Sequence, residues 1–125
     1  MSDDDRRLRL RGRELAQAYF GNEVPDEWRE ISTDLAELTE SAALGAIWTR
    51  PGLELRDRAL LAVGMTAALG TLPQLAWHTR GALRVGLTPV EIRETVIQAA
   101  GFAGFPAAWN AMRTVAPILD AHEGR

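Results

Sequence analysis

Cysteine is absent from this 125-residue chain. That one absence removes disulfides, thiolate metal sites, thiol peroxidase chemistry and any Cys nucleophile. Lysine is absent too, since all fourteen basic residues are arginine. The arginine-only usage fits a GC-rich genome, and it leaves cation chemistry to a planar fork that binds both oxygens of a carboxylate at once. With only two histidines, His78 and His122, a histidine-rich metal site is excluded, and none is expected. No apolar run approaches the roughly 20 residues needed to span a bilayer, so no membrane role is expected. Excess positive charge is lacking as well: the net charge of −3 argues against a broad nucleic-acid surface. The acidic start Met1-Ser2-Asp3-Asp4-Asp5 is the reverse of a basic signal-peptide opening, so a cytoplasmic location is expected.

What is present is an apolar, helix-patterned body. The chain has the length of one hydrophobic core, is 46% hydrophobic and 25% charged, and contains no low-complexity tract or linker. One domain over residues 1–125 is therefore expected. A basic-flanked amphipathic helix is predicted over residues 4–20, stopped by Gly21-Asn22, with Asp26 as the next N-cap. Apolar positions Ile31, Leu35, Leu38, Ala42, Leu44 (or Gly45) and Trp48 recur at helical spacing, which predicts one long helix over 28–49. Arg50-Pro51-Gly52-Leu53 is a turn. Residues 55–69 form an almost uniformly apolar helix, expected to be buried on most sides, in the core or against another subunit.

A helix over 73–85 follows. Gly86-Leu87-Thr88-Pro89-Val90-Glu91 is the clearest punctuation: Gly86 suits a left-handed position, and Thr88 with Glu91 makes a capping box around Pro89. The glycine-rich run 101–106 is predicted to interrupt that helix, and a last one covers 107–121. No alternating β-branched run occurs. The expected fold is all-α, with about six helices packed partly as antiparallel hairpins.

His78 is the strong chemical group inside this body. On a helix Gln74, His78 and Ala82 share a face, and small Gly81 and Ala82 are expected to leave space over the imidazole. The ring is either a structural hydrogen-bonder or the centre of a small-molecule site. Arg50 and Trp48 precede the apolar helix, and Asn110 follows the glycine-rich run, where backbone can approach closely. Each also has a structural reading. Arg50 answers a helix dipole, Trp48, Trp77 and Trp109 fill core or interface, and Asn110 bridges backbone.

Read together, these segments resemble the carboxymuconolactone decarboxylase family, in the alkylhydroperoxidase D-like superfamily. The likeness covers about residues 11–115. It rests on Ile47-Trp48-Thr49-Arg50-Pro51-Gly52-Leu53 with Arg56 and Arg58, on Leu75-x-x-His78-x-Arg80-Gly81-Ala82-Leu83, on Gly86-Leu87-Thr88-x-x-Glu91-Ile92, and on Gly104-Phe105-Pro106-Ala107-Ala108-x-Asn110.

The resemblance implies helical subunits assembled in a ring, commonly a hexamer or else a trimer, with active sites near subunit contacts. For the decarboxylase branch it implies a cofactor-free lyase that removes CO2 from 4-carboxymuconolactone-type lactone acids in aromatic catabolism. His78 is then the catalytic residue, with Arg50, Gln74, Trp48, Phe102 and Asn110 around a small organic acid. The thiol-peroxidase relatives carry Cys-x-x-Cys where this chain has Thr71 and Gln74, so peroxidase activity is excluded chemically.

The departures from the branch are Ala46 and Gln74 where glutamates are usual, Phe102 near a usual tyrosine, and Arg84 or Val85 near a usual asparagine. They point to a second reading, a divergent cofactor-free enzyme of secondary metabolism acting on a more apolar or enolisable acid. The third reading is a non-catalytic ligand-binding or assembly protein.

Overall fold

Ser2 opens the first helix of the computed structural model, which describes residues 1–21 and 24–125. The Ser2 hydroxyl accepts the Asp5 N–H while the Asp5 carboxylate takes the Ser2 N–H, a reciprocal capping box. Asp3, Asp4 and Asp5 complement the positive end of the helix dipole. Helix α1 (Asp3–Phe20) ends at Gly21, whose φ of 85° lies in the left-handed region. Asn22, the other half of the expected stop, lies outside the described residues. Among the described residues the regular elements are all helical and no strand occurs, so the protein is all-α as expected. They divide into two compact units, Met1–Leu55 and Arg56–Arg125.

In the first unit the single helix expected over residues 28–49 is three elements: α2 (Asp26–Ile31), α3 (Thr33–Leu38) and a π-helix (Thr39–Gly45). Asp26 is the first helical residue and not the cap, because Pro25 occupies the cap position without a side-chain bond. Ser32 leaves the helix at φ −159° and ψ 110°, and its hydroxyl accepts the Leu35 N–H at 3.1 Å. A serine able to cap competes with helix continuation, and here it wins. The break and the wider π turn rotate the helical phase. Ala36, Glu40 and Leu44 are consequently the buried positions, while Ile31, Leu35 and Leu38, expected inside, are exposed.

The core of this unit is aromatic. Tyr19 meets Trp48 at a centroid distance of 4.9 Å and Phe20 at 5.1 Å, and Phe20 meets Trp28 edge-on at 5.9 Å. Ala16, Val24 and Leu44 complete the cluster. Helix α1 packs on the π-helix through Gly12 and Gly45. A Cβ on Gly12 would overlap the Glu40 carbonyl oxygen, and one on Gly45 would overlap that of Leu8. The backbones touch there, and only glycine permits it.

That close approach buries the Glu40 carboxylate completely. Arg13 and Arg29 each donate to its Oε2 at 3.0 Å, and Arg9 lies 3.8 Å from Oε1. A carboxylate taken out of water is tolerable only with cations and hydrogen bonds to replace the lost solvation. The basic flank of α1 therefore has a structural task beyond a solvated face.

In the second unit, α4 (Leu55–Leu69), α5 (Leu72–Arg84), α6 (Pro89–Ala103) and α7 (Phe105–His122) follow one another with short joints. Buried stripes recur every three or four residues: Ala59, Val63 and Ala67 on α4; Leu75, Thr79 and Ala82 on α5; Ile92, Val96 and Ala99 on α6; Ala111, Val115 and Leu119 on α7. Helix α7 packs on both α5 and α6.

The Thr88 capping box forms as expected, with Glu91 N–H donating to the Thr88 hydroxyl at 3.1 Å and Thr88 N–H to the Glu91 carboxylate at 2.9 Å. Gly86 sits at φ 103°. The same Glu91 carboxylate also receives Arg56 from the start of α4. Within one chain helix α4 is buried along one stripe, and Leu61, Met65 and Leu69 are exposed. One expectation changes. The 101–106 run is no extended break: α6 continues to Ala103, and Gly104 alone (φ 94°) separates it from α7. Gly101 tolerates the helix, and Pro106 fits the first turn of α7, where its missing N–H costs nothing.

Replacing Glu40 by glutamine is expected to lower unfolding stability by about 3–5 kcal/mol, because three arginines then face a neutral group. Glu14→Gln on the exposed side of α1 should change it by less than about 0.5 kcal/mol. Urea melts of both variants against the parent check the difference.

Candidate active site

His78 sits where the buried and open faces of α5 meet. Its neighbours Leu75, Thr79 and Ala82 are fully buried, Gln74 one turn earlier is exposed, and the imidazole itself is half-buried. The Thr79 hydroxyl is occupied, donating to the Leu75 carbonyl at 2.7 Å. Burial disfavours the charged ring and pushes the His78 pKa from 6.5 down to about 4. At neutral pH the group is thus a neutral imidazole, with one nitrogen donating and the other accepting. It is not a standing cation. The ring is neither sealed among aliphatic side chains nor fully in water, which is the setting a proton-handling group needs.

Gly81 and Ala82, the small residues beside the ring on α5, are both buried. Phe102 and Asn110 are exposed on α6 and α7. Asn110 accepts from the Arg113 guanidinium at 3.5 Å through Oδ1, and its backbone carbonyl accepts the Thr114 hydroxyl at 3.2 Å. Phe102 stands at the edge of a groove of about 590 Å³ between α4 and α6, lined also by Leu61, Met65, Thr95 and Gln98. A smaller groove of about 210 Å³ lies between α6 and α7, beside Phe105 and Trp109. His78 lines neither of these grooves.

Trp48 and Arg50 belong to the first unit. Trp48 is part of the aromatic core against Tyr19, the filler role open to it in the sequence. Arg50 is exposed in the turn that follows, its N–H donating to the Ile47 carbonyl at 3.2 Å. Gln74 and His78 are therefore the two candidates that one element presents together.

Sequence reasoning passed over the grooves beside α6. The available signal was Val90, Ile97 and Phe102, apolar residues lying off the Ile92–Val96–Ala99 stripe. Among the described residues no three His, Asp or Glu side chains converge where they could hold a metal ion. No described helix is long and apolar enough to cross a membrane.

Residues 33–116, through both units, match the carboxymuconolactone decarboxylase family. The chain belongs to that family. Among carboxymuconolactone decarboxylase relatives, a nitrosuccinic acid decarboxylase, npaB, of Metarhizium robertsii is 33% identical, covering 94% of this chain and 88% of the relative. A 4-carboxymuconolactone decarboxylase of Acinetobacter baylyi is 28% identical over 95% of this chain and 90% of its own length. An uncharacterised protein of Paracoccus denitrificans is 40% identical over 74% of this chain and 67% of its own. The two relatives with a stated activity are both decarboxylases, which supports a carboxy-lyase of the carboxymuconolactone decarboxylase type.

The depressed His78 pKa carries a stability consequence of definite sign. Between about 4 and 6.5 the unfolded chain takes up a proton that the folded chain refuses. This contribution to stability is complete above pH 6.5 and is lost as pH falls toward 4, by a few kcal/mol at most on roughly 1.4 kcal/mol per pKa unit. A His78→Gln variant should show a shallower stability loss across that window in parallel urea melts at several pH values.

Proposed function

We propose that the protein removes CO2, without a cofactor, from a small organic acid whose carboxylate-bearing carbon neighbours an electron sink, with His78 handling the proton. One observation carries the proposal: a half-buried imidazole held neutral on α5, in a chain of the carboxymuconolactone decarboxylase family. As the C–CO2 bond breaks, its electron pair passes into the sink, and charge collects on an oxygen. A neutral ring with one N–H aimed at that oxygen stabilises it without first having to lose a proton. The substrate carboxylate, on binding, raises the ring pKa again. An imidazolium then becomes available to return a proton to the carbon.

The first candidate substrate is a 4-carboxymuconolactone-type lactone acid of aromatic catabolism, in which the lactone carbonyl is the sink. A second candidate is favoured by the 33% identity to a nitrosuccinic acid decarboxylase. In a nitro acid the nitro group takes the electron pair, and the product is a nitronate that needs a proton at carbon. Such a strong sink asks less of the enzyme's acids. That agrees with Gln74 and Ala46 standing where the branch usually has glutamates. Gln74 orients the ring or the substrate by hydrogen bonding and does not exchange a proton. Arg50, with its planar fork, is proposed as the carboxylate clamp on its chemistry alone. The working form is proposed to be a cytoplasmic homo-oligomer, a hexamer as the resemblance implies.

The test is CO2 release from each acid by the purified protein. His78→Ala is expected to cut kcat/KM by about 10²–10⁴-fold, the usual worth of a positioned acid or base, with helical content retained. Gln74→Glu places a carboxylate one turn from the ring, so the acid limb of the pH–rate profile should move upward by about one unit. A folded protein that releases CO2 from neither acid, or a His78→Ala variant of undiminished rate, overturns the proposal.

A further inference from the structure

We propose that the basic face of α1 is a binding site for a small dicarboxylate, with Arg6 and Arg13 each holding one carboxylate and Leu10 meeting the carbons between them. Arg6, Leu10 and Arg13 follow one another at i+4 and i+3 spacing, so they lie along one face of the helix. The order along that face is cation, apolar, cation. At about 1.5 Å of rise per residue, the two arginines start about 10 Å apart along the axis. With Arg9 and Met1 these residues line a cleft of about 250 Å³.

Charge is sorted around this cleft. No carboxylate is among its lining residues, whereas a neighbouring cleft of about 450 Å³ has Asp5, Asp34 and Glu37. Arg9 borders both. Arg6 lies 3.7 Å from Asp3, an exposed pair that an incoming carboxylate displaces at little cost.

The guanidinium groups are already held and only partly used. The buried Glu40 carboxylate takes the Arg13 Nε–H at 3.0 Å and has Arg9 Nη2 at 3.8 Å, so little ordering of either side chain is left for binding to supply. A guanidinium has five N–H donors. Arg13 spends its Nε–H on Glu40, and the buried Nε of Arg9 has no hydrogen-bond partner among the described residues.

Size and polarity choose the ligand. Pockets for drug-sized molecules begin at about 300 Å³, so the cleft suits something smaller. An arginine fork binds both oxygens of a carboxylate. Two forks on either side of a leucine match two carboxylates joined by a short methylene chain. Inorganic phosphate lacks the apolar middle. A polyanion such as RNA meets Asp3, Asp4 and Asp5 at the same helix end and a net charge of −3. Removing one carboxylate from a diacid leaves a monoacid that only one of the two arginines holds. The site therefore retains a diacid and releases its decarboxylated product, a role that rests on the proposed activity while the binding itself does not.

The experiment is isothermal titration calorimetry on the full chain at low salt, with succinate and glutarate as probes and acetate and inorganic phosphate beside them. A diacid is expected to bind with a Kd below about 1 mM, about 10-fold or more tighter than acetate or phosphate, and more weakly as salt rises. Arg6→Gln leaves Glu40 and its three arginines in place and should weaken binding about 10–100-fold, the worth of a charge-assisted pair. Arg7→Gln, an exposed arginine outside the cleft, should change it by no more than about threefold. No diacid binding in that range overturns the proposal, as does equal affinity for acetate or phosphate, or unchanged affinity in folded Arg6→Gln. So does a short RNA that binds more tightly than either diacid. Diacid binding that vanishes in folded His78→Ala belongs to the active site and overturns it too. CO2 release is measured separately, so the site and the chemistry stand or fall apart.

Discussion

The cost of taking an ionisable group out of water governs this structure more than any other single constraint, and the two units meet it in opposite ways. In the first unit the Glu40 carboxylate is surrounded by three guanidinium groups from two other helices. In the second unit His78 lies half inside an apolar helix and gives its charge up. The difference follows from the side chains. A carboxylate has two oxygens that arginine forks fit, and a chain whose basic residues are all arginine has many such forks. An imidazole, with an ordinary pKa of about 6.5, gives up its charge at neutral pH at lower cost than a carboxylate does.

That contrast separates a structural polar group from a chemical one. Glu40 is buried among three guanidinium groups, beside glycine-mediated backbone contacts. Its worth is in fixing α1, α2 and the π-helix to one another. A neutral imidazole carries one donor and one acceptor nitrogen, and the His78 ring is half-exposed. Proton handling is therefore proposed for His78 and not for Glu40.

The parts of the fold that were legible in the sequence are those decided by neighbours in the chain. Thr88, Pro89 and Glu91 announce a helix start because capping is a three-residue affair, and Gly86 ends the helix before it for an equally local reason. The same logic, applied at Ser2-x-x-Asp5 and Ser32, would have found the start of α1 and the break after Ile31. Periodicity alone obscured both. The π-helix was not legible, since it lies where α1 meets Gly45 and where Glu40 reaches Arg9 and Arg13. Those contacts are with residues more than twenty positions away. The inward placing of Ile31, Leu35 and Leu38 went wrong with it, because a helical phase carries over only while the helix is unbroken.

At the candidate site, the sequence pointed to His78 by its chemistry and to Gln74 by its spacing, and one helix does present them together. What it left open is whether the ring is charged, because that depends on the depth of Leu75, Thr79 and Ala82 beside it. A neutral ring beside a neutral amide narrows the chemistry. In the proposed reaction Arg50 holds the carboxylate, and the ring is left to meet the charge that develops in the sink. Charge is met where it arrives, at the oxygen of the sink, and differential stabilisation of that kind lowers a barrier where uniform binding does not. The stronger the sink, the smaller the demand on the protein. A family member without its usual acids can then remain a decarboxylase while being restricted to acids that already carry their own electron-withdrawing group.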